Sequence, residues 1–139
     1  MKKILIGLAS LLFLCACAHK KSVERSYTLL PIPQEIVTAD GDFTITNDTR
    51  LYINVPADDK NAIANAFATW NGALELANEN AATNCIAMVI CDNVADVVSP
   101  EGYTIEVTKE RIDVKATTAA GLFYAAQTLL QLADGGNTI

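Results

Sequence analysis

Acidic side chains are the first candidates for chemistry in this sequence of 139 residues. Asp58-Asp59 is its only adjacent pair of carboxylates, and it stands where a predicted helix begins. Because acids stabilise the positive end of a helix dipole, we interpret this pair as a helix N-cap and not as a catalytic pair. Glu101 and Glu106 fall in a turn and along the strand that follows, a pattern typical of a solvated face.

Nucleophile and metal chemistry would depend on the histidine and the cysteines. The single histidine, His19, precedes the predicted domain, which excludes a Ser-His or Cys-His pair from the folded part. Cys85 and Cys91 belong to one predicted strand, in which their Cα atoms would lie roughly 20 Å apart, beyond disulfide reach. We therefore predict two free, buried thiols, no metal site and no cofactor.

The N-terminus has the composition of a secretory leader. A positive start, Met1-Lys2-Lys3, precedes an apolar run over 4–14 that is shorter than the roughly 20 residues of a membrane span. The motif Leu14-Cys15-Ala16-Cys17 resembles a lipobox, with a leucine and a small residue correctly placed before Cys17. We predict a lipoprotein signal peptide over 1–16 and lipid attachment at Cys17, with a conventional signal peptide cleaved nearby as the alternative.

These features predict a protein of the cell envelope, anchored by lipid and facing the periplasm or the cell surface. The formal charge of −6 becomes −8 when the signal peptide removes Lys2 and Lys3. Since no basic stripe is present to neutralise phosphates, a nucleic-acid partner is excluded. The remaining chain, about 120 residues long, is enough for one domain with its own core.

The hydrophobic pattern predicts an α+β domain over 31–135, preceded by a tether over 17–30. Alternating apolar residues predict strands, and three- and four-residue spacing predicts a helix from Asp58 or Asp59 to Ala77. The predicted strands are 42–46, 50–55, 84–91, 103–107 and 112–116, of which the last two form a hairpin. We expect a mixed or mainly antiparallel sheet with two helices packed on one face.

A second helix is predicted from Ala119 to about Ala133, capped by Thr117 or Thr118 and ended by Asp134-Gly135-Gly136. Its main apolar stripe consists of Leu122, Ala125, Ala126, Leu129 and Leu132. Phe123 and Leu130 lie on a different face of the helix from that stripe, so the helix is apolar on nearly all sides. Such a helix is normally covered on two sides, and one sheet covers only one. We therefore predict a second covering surface that faces Phe123, Gln127 and Leu130.

Two stretches of the chain are similar to a known family. They are Leu30-Pro31-Ile32-Pro33-Gln34-Glu35, and Glu101-Gly102-Tyr103 followed by Gly121-Leu122-Phe123-Tyr124 and Gln127-Thr128-Leu129-Leu130-Gln131-Leu132. Over residues 30–133 the chain resembles the small α/β domain that precedes the catalytic barrel of family 20 glycoside hydrolases, the β-N-acetylhexosaminidases. A related domain precedes the family 84 enzymes, so both families stay open at this point.

The resemblance implies a parent enzyme that releases terminal N-acetylhexosamine from glycans. In that family an Asp-Glu pair in a (β/α)₈ barrel of about 250 residues acts together with the acetamido group of the substrate. This chain has no room for the barrel, so we expect a piece truncated before it, with no catalytic residue, no cofactor and no activity alone. Its partner would be the barrel downstream in the parent enzyme, which alone would contact the glycan.

A second function stays open. The chain could be a stand-alone surface lipoprotein that binds glycan or another protein through the helix face that the barrel would otherwise cover. The sequence leaves undecided whether Ile139 is a natural end.

Overall fold

The computed structural model describes residues 27–70 and 74–139. The predicted signal peptide, Cys17 and most of the tether lie outside these residues. The elements in chain order are β1 (Arg50–Asn54), α1 (Ala57–Ala66), a short 3₁₀ helix (Phe67–Thr69), β2 (Glu75–Ala77), β3 (Cys85–Ile90), β4 (Tyr103–Val107), β5 (Arg111–Ala116) and α2 (Ala119–Ala133). In the described part of the chain, no helix is both long and apolar enough to cross a bilayer.

The strands form one mixed sheet in the order β2-β1-β3-β5-β4. Three neighbouring pairs are parallel, and only β4 and β5 are antiparallel. The predicted α+β class with a mixed sheet is therefore confirmed, and the sheet is mainly parallel. This follows from the connections, because each parallel pair is joined by a segment long enough to cross over, whereas β4 and β5 share a short turn.

The core lies between one face of the sheet and both helices. Two rows of paired residues run across the three central strands on that face, Leu51-Ile86-Ile112 and Ile53-Met88-Val114. Both rows belong to one buried cluster with residues of α1 and α2. Since α1 packs on β1 while α2 packs on β3, β4 and β5, the predicted placement of two helices on one face is confirmed.

The prediction for the first helix is wrong at both ends. Its N-cap is Pro56, with no side-chain cap hydrogen bond, and Asp58 and Asp59 lie in the first turn instead. The helix ends at Ala66, and residues 75–77 form the edge strand β2 beside β1. The apolar residues of this short stretch fit the spacing of a helix as well as that of a strand. Hydrogen bonding to β1 makes the stretch a strand.

The predicted strand over 42–46 is extended but does not join the five-stranded sheet. Phe43 and Ile45 are buried, and their backbone pairs with the end of the chain. The Phe43 amide donates to the Ile139 carbonyl at 2.8 Å, the Ile139 amide donates back at 3.0 Å, and Ile45 donates to Asn137 at 2.7 Å. The only bridge recorded for this segment among the described residues joins Thr44 and Thr138.

We call residues 134–139 the C-terminal strap. Besides its pairing with Phe43 and Ile45, it is held by the indole Nε1 of Trp70, which donates to the Gly136 carbonyl at 2.9 Å. Ile139 itself is buried, and so is Leu29 near the other end of the described chain. Packed structure therefore reaches a few residues beyond the predicted range 31–135 on each side.

Candidate functional site

The candidate surface is the outer side of α2, the side turned away from the sheet. The helix begins at Thr118, whose Oγ1 accepts from the Gly121 amide at 3.1 Å and donates to the Pro100 carbonyl. It ends at Asp134, which adopts the left-handed conformation with φ 44°. The N-cap at Thr118 and the end at Asp134 both agree with the sequence prediction. The residues of α2 buried against the domain are Gly121, Leu122, Ala125, Ala126, Thr128, Leu129 and Ala133.

The three predicted barrel-facing residues share the outer side but differ in exposure. At 100° per residue, Phe123, Gln127 and Leu130 fall within a narrow sector of the helix. Phe123 is exposed by 38%, whereas Gln127 and Leu130 are half-buried. Tyr124, which the sequence analysis did not single out, is exposed by 43% and packs edge-on against Phe123 with ring centroids 6.0 Å apart. An exposed aromatic pair is therefore the most prominent feature of this side.

A shallow groove runs between the first turns of the two helices. Its volume is about 250 Å³, and it is lined by Asp59, Ala62, Ile63, Ala119, Ala120, Phe123 and Tyr124. Asp59 is the only lining residue that carries a charge. The groove therefore extends the apolar side of α2 toward α1 and has a single acidic group among its lining residues.

The N-terminal segment lies against the other end of α2. The Leu30 amide donates to Oε1 of Gln131 at 2.9 Å, and Nε2 of Gln131 donates to the Leu30 carbonyl at 3.0 Å. Leu29 is buried, while the side chains of Leu30 and Ile32 are 71% and 84% exposed. Sequence reasoning missed this contact, although both partners lie in the two stretches that carry the family resemblance.

The candidate acids and thiols lie on separate elements. Asp58 and Asp59 are exposed in the first turn of α1, Glu101 in the turn before β4, and Glu106 on β4 itself. Over 27–70 and 74–139, no group of three or more His, Cys, Asp or Glu residues is arranged to hold a metal ion.

Both folded-domain cysteines are free thiols, as predicted. Cys85 is completely buried on the central strand β3. Cys91 lies one residue beyond that strand and is only half-buried, so the prediction of burial is wrong for this residue. The strand ends earlier than its apolar run suggested, and the chain leaves the sheet at that position.

Comparisons with known proteins agree with this architecture. The model of glycosyl hydrolase family 20, domain 2, matches residues 26–139. A β-hexosaminidase of Porphyromonas gingivalis is 29% identical over 147 residues, covering 95% of this chain and 18% of that protein. The solved β-N-acetylhexosaminidase of Bacteroides fragilis superposes with a TM-score of 0.64 and 28% identity, over 80% of this chain and 23% of that one.

A more distant solved relative has the same fold. The family 20 exo-β-N-acetylglucosaminidase of Vibrio harveyi superposes with a TM-score of 0.60 and 22% identity, over 79% of this chain and 17% of that one. The chain spans about a fifth of the length of these relatives. The family match over 26–139 decides between the two families that the sequence left open. This chain belongs to glycosyl hydrolase family 20 and corresponds to domain 2 of that family.

Proposed function

We propose that this chain is a non-catalytic domain of a β-N-acetylhexosaminidase that supports the catalytic barrel of the enzyme. The observation that carries the proposal is the match to family 20, domain 2, over residues 26–139. The matched region covers only 23% of the β-N-acetylhexosaminidase of Bacteroides fragilis, so a relative of that length has ample room for a barrel of about 250 residues. Release of terminal N-acetylhexosamine would take place in that barrel.

The outer side of α2 is the surface proposed to face the barrel. Phe123 and Tyr124 leave a large part of their rings in water, and Gln127 and Leu130 flank them. An interface between two domains of one chain typically buries about 600–1,500 Å². The side of α2, together with the groove toward α1, offers an apolar centre for such an interface.

The chemistry of the described residues supports a role without catalysis. Most glycosidases act through two carboxyl groups facing one sugar, and family 20 enzymes through an Asp-Glu pair and the acetamido group of the substrate. Here the acids that the sequence suggested lie on α1, in a turn and on β4, and Asp59 is the only acid in the groove. We therefore expect the isolated chain to hydrolyse no N-acetylglucosaminide.

The first experiment is to read the genomic DNA beyond the codon for Ile139. A reading frame that continues, or resumes after a one-base shift, into a barrel with an Asp-Glu pair supports the proposal. The product of that complete frame should then hydrolyse a chromogenic N-acetylglucosaminide, and the 139-residue chain should not.

Two results would contradict the proposal. One is measurable turnover by the pure 139-residue chain. The other is a stop codon with no barrel encoded nearby, combined with a monodisperse, cooperatively folding chain. That second result would favour the stand-alone lipoprotein, and retention of a glycan or a protein partner would then be tested.

We also propose that Cys17 carries a lipid that anchors the protein in the cell envelope. The support is the Leu14-Cys15-Ala16-Cys17 motif after a short apolar run. Cells expressing the chain should incorporate labelled palmitate into it, Cys17→Ser should abolish the label, and the matched variant Cys15→Ser should retain it. Equal labelling of the Cys17→Ser chain would refute the assignment.

A further inference from the structure

We infer that the docking surface for the catalytic domain has two parts, the outer side of α2 and the Leu30–Ile32 segment. Gln131 is the positioning residue that joins them. The inference rests on the proposed function and adds to it a second element and a residue that holds it. We call the five residues Leu30, Ile32, Phe123, Tyr124 and Leu130 the composite face.

Gln131 binds the backbone of Leu30 as a neighbouring strand would. Its side-chain amide accepts from the Leu30 amide at 2.9 Å and donates to the Leu30 carbonyl at 3.0 Å, so both polar backbone groups of that residue are paired. Leu29, one residue earlier, is buried at 7% exposure. The backbone is thus held at Leu29 and at Leu30, while the Leu30 side chain extends into water.

The exposed apolar side chains of Leu30 and Ile32 indicate that this segment binds a partner. Leu30 is 71% exposed and Ile32 is 84% exposed. Gln131, which binds Leu30, follows the half-buried Leu130 and lies about two helical turns along α2 from the exposed aromatic pair. Apolar side chains that are clustered and fixed in place, facing water, mark interaction surfaces, whereas single exposed ones are ordinary. The contact with Gln131 therefore orders a surface from which this domain alone gains little burial.

The position of the C-terminal strap favours the catalytic domain as the occupant. The strap follows α2 directly, and its Gly136 amide donates to the Ala133 carbonyl at 2.7 Å. The strap between α2 and the end of Ile139 is only six residues long, so a domain attached after Ile139 in a longer protein is tethered close in sequence to the helix that binds Leu30. Since relatives such as the Bacteroides fragilis enzyme hold about three quarters of their length outside the matched region, such a domain is the available partner.

The contact itself can be tested in the 139-residue chain. Gln131→Ala removes both hydrogen bonds, so hydrogen exchange at the Leu30 amide should become about ten-fold faster. Gln131→Glu keeps the acceptor for that amide and should retain most of its protection. Asn65→Ala, at an exposed position on α1, is the matched control and should leave the exchange unchanged. Equal exchange in the Gln131→Ala and parent chains would overturn the positioning role.

The docking role can be tested by hydroxyl-radical footprinting of the complete enzyme against the 139-residue chain. Every residue of the composite face should react several-fold more slowly in the complete enzyme. Val98 is the control, because it is 98% exposed in the loop between β3 and β4 and does not belong to the composite face, and it should react equally in both.

The outcomes separate the two proposals. If Phe123 and Leu130 become protected while Leu30 and Ile32 stay reactive, the two-part surface is wrong and the docking side of α2 stands. If all five residues stay as reactive as in the isolated chain, the docking role of α2 fails as well. Protection of all five, with Val98 unchanged, supports both.

Discussion

At the scale of single residues, two polar residues of the described chain are buried, and the hydroxyl of each has a partner. Thr49 and Thr128 are the buried polar residues over 27–70 and 74–139. The hydroxyl of Thr49 donates to Oδ1 of Asn84 at 2.7 Å, and the hydroxyl of Thr128 lies 2.5 Å from that of Tyr103. The second pair joins α2 to β4, so it connects the helix that carries the candidate surface to the sheet beneath it.

Tyr103→Phe should therefore destabilise the domain. The change leaves the Thr128 hydroxyl buried without its partner, which typically costs about 1–3 kcal/mol. Thr128→Val should have a similar effect, whereas the double variant should lose clearly less than the sum, because two apolar groups then face each other. Urea unfolding of the four chains measures this coupling. Strict additivity of the two changes would show that the hydroxyl pair contributes nothing.

Gly121 explains why α2 lies so close to the hairpin. A Cβ atom at this position would lie 2.6 Å from the Gly102 carbonyl oxygen and 2.8 Å from the Ala116 Cβ atom. The Gly102 carbonyl belongs to the backbone and Ala116 is a buried strand residue, so neither can move easily to make room for a side chain. The packing of α2 against the turn before β4 and the end of β5 therefore explains the glycine in the motif Ala120-Gly121-Leu122-Phe123-Tyr124.

At the scale of elements, the C-terminal strap is held by contacts with distant segments of the chain. The C-terminal strap pairs with Phe43 and Ile45 and accepts a hydrogen bond from Trp70. Trp70 is itself stacked on Phe67, with ring centroids 5.6 Å apart and planes 13° from parallel. The strap therefore contacts the segment after α1 as well as α2.

Trp70→Phe should loosen the strap more than the sheet. The variant keeps an aromatic ring beside Phe67 but lacks the N–H that donates to Gly136, so we expect about 1 kcal/mol less stability. Hydrogen exchange should accelerate at the Ile45 and Ile139 amides and change little at Met88 in the central strand. Tyr124→Phe is the control, since no hydrogen bond of that hydroxyl is found among the described residues. Uniform acceleration at all three amides would contradict a local role for Trp70.

At the scale of the whole molecule, the domain leaves one side of α2 and a neighbouring segment apolar and open to water. The protein carries a formal charge of −6, so it repels its own copies, yet no charged residue belongs to the composite face. Exposed apolar patches of several hundred Å² favour association. The balance between these two effects can be measured on the isolated chain.

The isolated chain should self-associate through the composite face. Phe123→Ser combined with Tyr124→Ser should shift sedimentation toward the monomer, because the aromatic pair contributes much of the exposed apolar area. Val98→Ser removes an apolar side chain that is more exposed but does not belong to the composite face, and it should change nothing. A parent chain that stays monomeric at concentrations of about 100 μM would contradict this expectation.

Several elements could be predicted from the sequence because their burial pattern is local. The hairpin β4–β5 and the capped helix α2 each repeat apolar residues at one period over enough residues to exclude the other, and the central strand β3 is a short continuous apolar run. The same reasoning identified an apolar outer side on α2 and placed Phe123 there. The family resemblance rested on these well-defined segments.

Only the tertiary structure decided which distant segments pair. Leu30 and Gln131 are 101 residues apart, and nothing in either segment alone indicates the other. Two further features depend in the same way on contacts between distant segments. They are the pairing of Phe43 with Ile139 and the formation of a strand, not a helix, at Glu75–Ala77. Periodicity records which side of a segment is buried, whereas a backbone hydrogen bond between segments is available to any extended chain. Its partner is selected by the packing of the whole domain.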